Sequence, residues 1–357
     1  MTRWRGALSD VLMYVVSLVM ALVLCAVLVS TTGGSAAKVF SALLDGSLRS
    51  SGAWGLTITT AVPLLLVAAG TIVATKAGLV NIGQEGQLLL GAAGTAYLAT
   101  RLHVPGPILL ALSLLLGAVL GGAWAGIAAL LRFTRQVPEV ISTLLLVFIA
   151  GYLTTFGLTK RWLLLSRLHI VSNINSGHPL PPAAHMPAFR IFGNTISWGV
   201  VVALVVSFAT VVVLGRTTWG FRLRMLGLNA RTAQRAGVSA VAYGGTALVV
   251  SGAFAGLAGG VWLTGGAAGD RFTGAISSNV GWQGLLVALL ARDRVLLAIP
   301  MAFVFAALRT GAGFLAATGV ERRIADVVQA MLVLALLVPP AIQAVRRHRA
   351  PREASIA

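Results

Sequence analysis

The sequence predicts an all-α membrane protein, a polytopic bundle of about ten transmembrane helices. Three observations carry that prediction. The 357 residues are 57% hydrophobic and only 10% charged, whereas a soluble domain carries about 25% charged residues. Apolar runs of about 20 residues, long enough to cross a bilayer as helices, recur along the chain. The short alternating strands of a transmembrane barrel are not evident.

Arg3 and Arg5 precede the first apolar run, residues 11–31, which reads as an uncleaved signal anchor because many spans follow. Cys25, the single cysteine, lies in that run, so no intrachain disulfide forms. Further segments fall at 56–75, 84–100, 107–131 and 138–158. Residues 159–195 hold Pro179, Pro181, Pro182 and Pro187 and read as a long irregular loop, a cap or docking surface. A span at 196–215 leads into 216–239, a basic stretch too polar to cross. Asn229 suits the N-cap of a short helix over 230–236, and Gly237 suits its stop. The remaining segments are 240–264, 280–291, 295–310 and 324–342; the second is too short to span and reads as half-length or re-entrant. Four segments before the 196–215 span and four after the basic loop allow two diverged, inverted halves within a single transmembrane domain over 1–357.

Charge orients this layout. With the N-terminus inside, sixteen of the 27 lysines and arginines fall on inner pieces and eleven on outer ones. Four of the eleven (Lys160, Arg161, Arg167, Arg190) sit in the 159–195 loop, leaving sixteen against seven without it. Both termini and the 216–239 loop are therefore placed in the cytoplasm, and 159–195 outside. The net charge of +18 is spread between apolar runs, which fits topology signals and anionic lipid contacts and argues against nucleic acid as a partner.

The chemistry concentrates in Ala77-Gly78-Leu79-Val80-Asn81-Ile82-Gly83-Gln84-Glu85-Gly86-Gln87. Asn81, Gln84, Glu85 and Gln87 are costly in hydrocarbon without partners, so they are candidates to line a path for a polar solute. The residues equally allow a turn at a helix start, with Glu85 complementing the dipole. Ser277-Ser278-Asn279-Val280-Gly281-Trp282-Gln283-Gly284 opens the half-length segment. A helix N-terminus inside the membrane would offer free N–H groups to a solute, making Asn279, Trp282 and Gln283 further path candidates; the stretch also reads as an interfacial Trp282 anchor beside flexible glycines. Pro138 and Glu139 read first as a capped helix start. Asp270 and Arg271 read as a surface pair, and Gly117/Gly121 and Gly256/Gly260 as helix-packing positions.

No phosphate loop with Gly-Lys-Ser/Thr and no His-Glu-x-x-His motif is present. His178, His185 and Met186 read as loop residues and not a metal site, and no cofactor is expected. Catalysis within the membrane lacks a nucleophile–base set, so ATP-derived energy would come from another polypeptide.

Four stretches together resemble the permease subunits of bacterial ABC importers for nucleosides and simple sugars, in the ribose and branched-chain amino acid permease superfamily. They are Ala77–Gln87, Glu139-Val140-Ile141-Ser142-Thr143-Leu144, Gly227-Leu228-Asn229 with Ala233 and Ala236-Gly237-Val238, and Gly281–Arg292. The resemblance implies a translocation path moved by a separate cytoplasmic ATP-binding subunit. It also implies a second homologous permease subunit and an extracytoplasmic substrate-binding lipoprotein, in the bacterial plasma membrane. It makes 220–237 the element that docks on the ATPase, with Gly220, Gly227, Asn229, Ala233 and Gly237 as coupling residues. Val137-Pro138 stands where that family carries a polar residue. The competing reading is a stand-alone transporter driven by protons or sodium, for which Glu85 is the candidate coupling acid.

Overall fold

The computed structural model describes residues 36–50, 52–166, 176–266 and 269–317, with isolated helical positions between 16 and 30 and between 327 and 342. The predicted anchor at 11–31 and span at 324–342, both chain ends and Arg167 lie largely or wholly outside the described residues.

The described chain is overwhelmingly helical. In order, the helices are α1 (Ala36–Leu44), α2 (Ala53–Lys76), α3 (Gln84–Ala99), α4 (Gly106–Arg135), α5 (Glu139–Gly157), α6 (Gly199–Arg216), α7 (Thr218–Leu228), α8 (Ala230–Arg235), α9 (Ala240–Thr264), α10 (Val280–Leu290) and α11 (Val295–Ala317). Four short strands stand between helices: β1 (Ser176–Pro179), β2 (Ala188–Ile191), β3 (Asn194–Ser197) and β4 (Arg271–Thr273). β1 pairs with β4 and β2 with β3, both antiparallel. Six of the helices (α2, α4, α5, α6, α9 and α11) are long and apolar enough to cross a membrane. The chain is a multi-pass α-helical membrane protein; the described residues show six such spans rather than the full expected set.

The difference has a physical reason. α3 has 16 residues and α10 has 11, so at 1.5 Å per residue they rise only about 24 and 16 Å, short of a core about 30 Å thick. The expectation of a half-length segment at 280–291 is met by α10, and α3 proves short as well. α1, the five-residue π turn Asp45–Arg49 after it and the strands were not foreseen.

The chain forms two compact units. In the first, residues 1–57 with 304–357, the α1 backbone at Leu43 lies against Gly311, and Thr57 Oγ1 bonds Ser47 O at 2.8 Å and Thr310 Oγ1 at 2.8 Å. The second, residues 58–303, is built on α3, α4 and α9, which pack closely on one another. Glycine makes that closeness possible, because in a membrane helices associate through backbone approach and not through water exclusion. A Cβ on Gly256 would meet the Gly117 carbonyl oxygen far inside contact distance, and one on Gly121 would meet Gly252 O and Gly256. Gly256→Val is therefore expected to separate α9 from α4 and to leave little folded protein in the membrane, read as loss of the monodisperse peak on detergent extraction.

α5 starts as expected. Pro138 stands at the N-cap position, one residue before the first helical position and with no side-chain capping bond, and Glu139 opens the helix and forms an ion pair with Arg132 from the last turn of α4 at 3.1 Å. Asp270 and Arg271 are an exposed pair at 3.0 Å; the guanidinium holds the Asp270 carboxyl below the usual carboxylate range.

A buried polar turn and its basic neighbour

The chain leaves α2 at Lys76 and re-enters helix at Gln84, and the gap is the Ala77–Gly83 turn. Gly78 opens it at φ +75°, a conformation favoured by glycine. Backbone released from a helix inside a membrane needs internal partners. The Asn81 side chain supplies one by accepting from Gly83 N at 3.0 Å, and Thr143 Oγ1 on α5 accepts from Ile82 N at 3.3 Å.

The amides of the turn bond one another. Asn81 Nδ2 donates to Gln87 Oε1 at 2.9 Å and to Ser251 Oγ on α9 at 3.0 Å. Gln87 Nε2 returns a bond to Asn81 Oδ1 at 3.0 Å. Gln84 pairs with Thr71 on α2, Nε2 to Oγ1 at 2.7 Å and Oγ1 to Oε1 at 2.9 Å, and Gln84 Nε2 also reaches Ser251 Oγ at 3.3 Å. Asn81, Gln84 and Gln87 are 0%, 1% and 1% exposed, so the network is sealed in this state. Ser251 and Thr71 were not picked out from sequence. Their signal was available: each is a hydroxyl inside a long apolar run.

Glu85 faces the other way. Its carboxylate accepts from Gly281 N at 2.7 Å and Asn279 N at 3.2 Å, the first turn of α10. Two of the N–H groups expected to be free for a solute, those of Asn279 and Gly281, are thus held by Glu85, which caps the dipole of α10 and not that of its own helix. The approach is close: a Cβ on Gly281 would lie 2.5 Å from the Glu85 backbone. Ser278 and Asn279 take φ of +41° and +67° to make the turn. Asn279 is exposed, and Trp282 and Gln283 are half-buried on the first turn of α10. The structure therefore joins Asn81, Gln84 and Gln87 in one cluster and Glu85 with Asn279 in a second beside it.

The two helix starts also share a pattern that sequence reading missed. Asn81-Ile82-Gly83-Gln84-Glu85-Gly86 and Asn279-Val280-Gly281-Trp282-Gln283-Gly284 match as Asn, β-branched, Gly, any, Glu or Gln, Gly. Both precede or open a helix too short to span.

The basic stretch is a helical hairpin. Thr217 caps α7 by accepting from Gly220 N at 3.1 Å, and Asn229 caps α8 by accepting from Thr232 N at 3.0 Å, as its sequence implied. Gly220 lies against the carbonyls of α6, where a Cβ would strike Val213 O. Ala233 is buried between Leu226 and Val238, while Gly237 ends the turn at φ +80° with open space around it. Arg222 bonds the Tyr243 hydroxyl at 2.6 Å; Phe221, Arg224, Leu228, Arg231 and Arg235 are exposed. Gly227 joins the hairpin to the polar turn: a Cβ there would collide with Lys76 O and lie 2.9 Å from Gly78 N. The Gly227 and Gly78 backbones touch.

Residues 55–337 match the model of the branched-chain amino acid transport system / permease component family. The chain belongs to that family. Its relatives include a glucose ABC transporter permease protein of Haloferax volcanii, 33% identical over 298 residues (80% of this chain, 76% of the relative). A guanosine ABC transporter permease protein of Bacillus subtilis is 30% identical over 341 residues, 92% of this chain and 93% of its own. A nucleoside ABC transporter permease protein of Lactococcus lactis is 28% identical over 332 residues, 92% and 91% of the two chains. No solved structure matches the permease. The matched region includes both helix starts, the sealed network and the basic hairpin, and among the described residues of the permease no cluster of metal-ligating side chains occurs.

Proposed function

We propose that the permease forms the translocation path of an ABC importer for a nucleoside or simple sugar in a bacterial plasma membrane, with both termini cytoplasmic. The observation that carries this reading is the Gly78–Gly227 contact. It links the arginine-rich hairpin, free to meet a partner, directly to a turn whose buried amides suit a neutral, hydroxyl-rich solute. The names of the relatives support the same solute classes.

In this proposal 1–357 acts as one permease domain beside a second homologous permease subunit in membrane lipid. A substrate-binding lipoprotein docks outside on the 159–195 loop. A cytoplasmic ATP-binding subunit grips 216–239 through a surface set by Gly220, Asn229, Ala233 and Gly237; ATP hydrolysis belongs to that subunit and not to this chain. Movement of α7 pushes on Gly78 at Gly227 and opens the sealed turn. Asn81, Gln84, Glu85, Gln87, Asn279, Trp282 and Gln283 then line the path. The test is uptake of labelled nucleosides and sugars by cells lacking the chain. Restored uptake of at least one of them by the wild-type chain is the expected result; restored uptake of none of them, with the chain present in the membrane, overturns it.

Glu85 separates this reading from an ion-driven carrier. A coupling acid must exchange a proton or sodium each cycle, whereas this carboxylate is committed to two backbone N–H groups. Glu85→Gln keeps one acceptor and the shape. It is expected to reduce uptake several-fold through a weaker cap, about 1 kcal/mol, while leaving uptake indifferent to protonophores. Uptake that becomes uncoupled from an ion gradient in the variant supports the ion-driven carrier instead.

A further inference from the structure

At the end of α3 remote from Gly78 and Gly227 the molecule carries a second, unrelated polar feature. It is a cleft of about 830 Å³ whose lining includes Arg101, His103, Arg161, Trp162 and His178. The volume is that of a small-ligand site. None of its lining residues is acidic. Among the described residues the side chains of Arg161, His103 and His178 have no hydrogen-bond or ion-pair partner, though the Arg161 carbonyl accepts from Arg101 Nη2 at 3.5 Å, and the nearby acid Asp270 is bonded to Arg271.

Arg101 is held in place. Its guanidinium lies 4.4 Å from the centre of the Tyr97 ring, and Nη2 donates to the carbonyls of Trp162 at 2.5 Å and Leu163 at 3.1 Å. Its Nε and Nη1 edge has no partner among the described residues, and such an edge matches two oxygens of a phosphate. The surroundings fix the depth in the membrane. Arg101 follows the last turn of α3, and Trp162 is 65% exposed; Tyr152 and Phe156, exposed on the last turns of α5, carry aromatic surface toward the lipid. Lys160 lies 5.4 Å from the Phe156 ring centre. Exposed aromatics among cations at helix ends mark the headgroup level of a bilayer.

We propose that this cleft binds a phosphate-bearing group, supplied by the headgroup of an anionic phospholipid whose acyl chains lie along α4 and α5. The phosphate sits between the free edge of Arg101 and the Arg161 side chain, with Trp162 at the glycerol level. The proposal is independent of which solute the permease carries. It also gives a use to Arg101 and Arg161, two of the cations that run against the charge bias of the other loops.

The test is native mass spectrometry of the purified full chain with dioctanoyl phosphatidylglycerol, with dioctanoyl phosphatidylcholine, and with glycerol 3-phosphate as competitor. Wild type and an Arg190→Gln control are expected to retain phosphatidylglycerol over phosphatidylcholine. The Arg101→Gln/Arg161→Gln double variant is expected to bind it roughly tenfold or more weakly. Arg161→Gln alone, an exposed change, is expected to show a smaller loss in the same direction should the double variant fold poorly. Equal retention of phosphatidylcholine, or undiminished phosphatidylglycerol binding by a monodisperse double variant, overturns the proposal. Displacement by equimolar glycerol 3-phosphate overturns the lipid assignment and places a soluble phosphate ester there.

Discussion

Uptake is expected to fall to background when Ala233 is replaced by aspartate, with the chain still present in the membrane. Ala233 is 1% exposed and packs with Leu226 and Val238, in a cluster that Met225 and, from the start of α9, Ala240 and Tyr243 also pack against. A carboxylate there has no partner, and burying it costs several kcal/mol, more than an eleven-residue helix and a six-residue helix can absorb. The hairpin then loosens, while the α3–α4–α9 interface, which lies farther along α9 at Gly252 and Gly256, stays packed. Gly237→Glu separates docking from folding. At φ +80° with open space beside it, the position takes a side chain at a backbone cost of about 1–2 kcal/mol. The hairpin therefore survives with a new negative charge on its arginine-rich surface. Loss of substrate-stimulated ATP hydrolysis at unchanged membrane level is the expected result, measured on the assembled transporter; full stimulation would remove the hairpin from the coupling step.

The second large effect belongs to the sealed turn. Asn81→Ala removes both partners of the Gln87 amide, one partner of Ser251 and the acceptor of Gly83 N. Each buried group left unsatisfied costs about 1–3 kcal/mol, so the sum rivals the 5–15 kcal/mol stability of a whole domain. A thermal unfolding midpoint lowered by about 10 °C or more in detergent is expected, since 1 kcal/mol moves the midpoint of a large domain by about 2–4 °C. Uptake is expected to fall with it. Gln84→Met probes the same network more gently, because Thr71 keeps its bond to Val67 O.

How legible was this in the sequence? The spans expected at 56–75, 107–131 and 240–264 end within about four residues of α2, α4 and α9, because such apolar runs leave no other way to satisfy the backbone in lipid. The helix starts at Asn229 and Pro138 were readable for the same local reason: an N-cap side chain or a proline serves a helix start wherever it sits. The polar turn was visible as a cluster, yet its wiring was not. Whether Glu85 caps α3, caps α10 or faces a path depends on Gly281 lying against it, 196 residues away in sequence. Likewise nothing local tells that the Gly227 backbone lies against Lys76 and Gly78. Contacts between backbones leave glycines in the sequence but no hint of which glycine meets which. The strands β1 and β4 were hidden because four- and three-residue segments in a Pro- and Gly-rich context carry no period to read.

The central proposal is that a separate ATP-binding subunit moves this permease through its arginine-rich hairpin. Reconstitution in sealed vesicles tests it most directly, comparing the chain alone under a proton or sodium gradient with the chain assembled with its permease, ATP-binding and substrate-binding partners. Accumulation of a labelled nucleoside or sugar only in the assembled vesicles, and only with ATP on the hairpin side, is the predicted result. Accumulation by the chain alone on an ion gradient would contradict it.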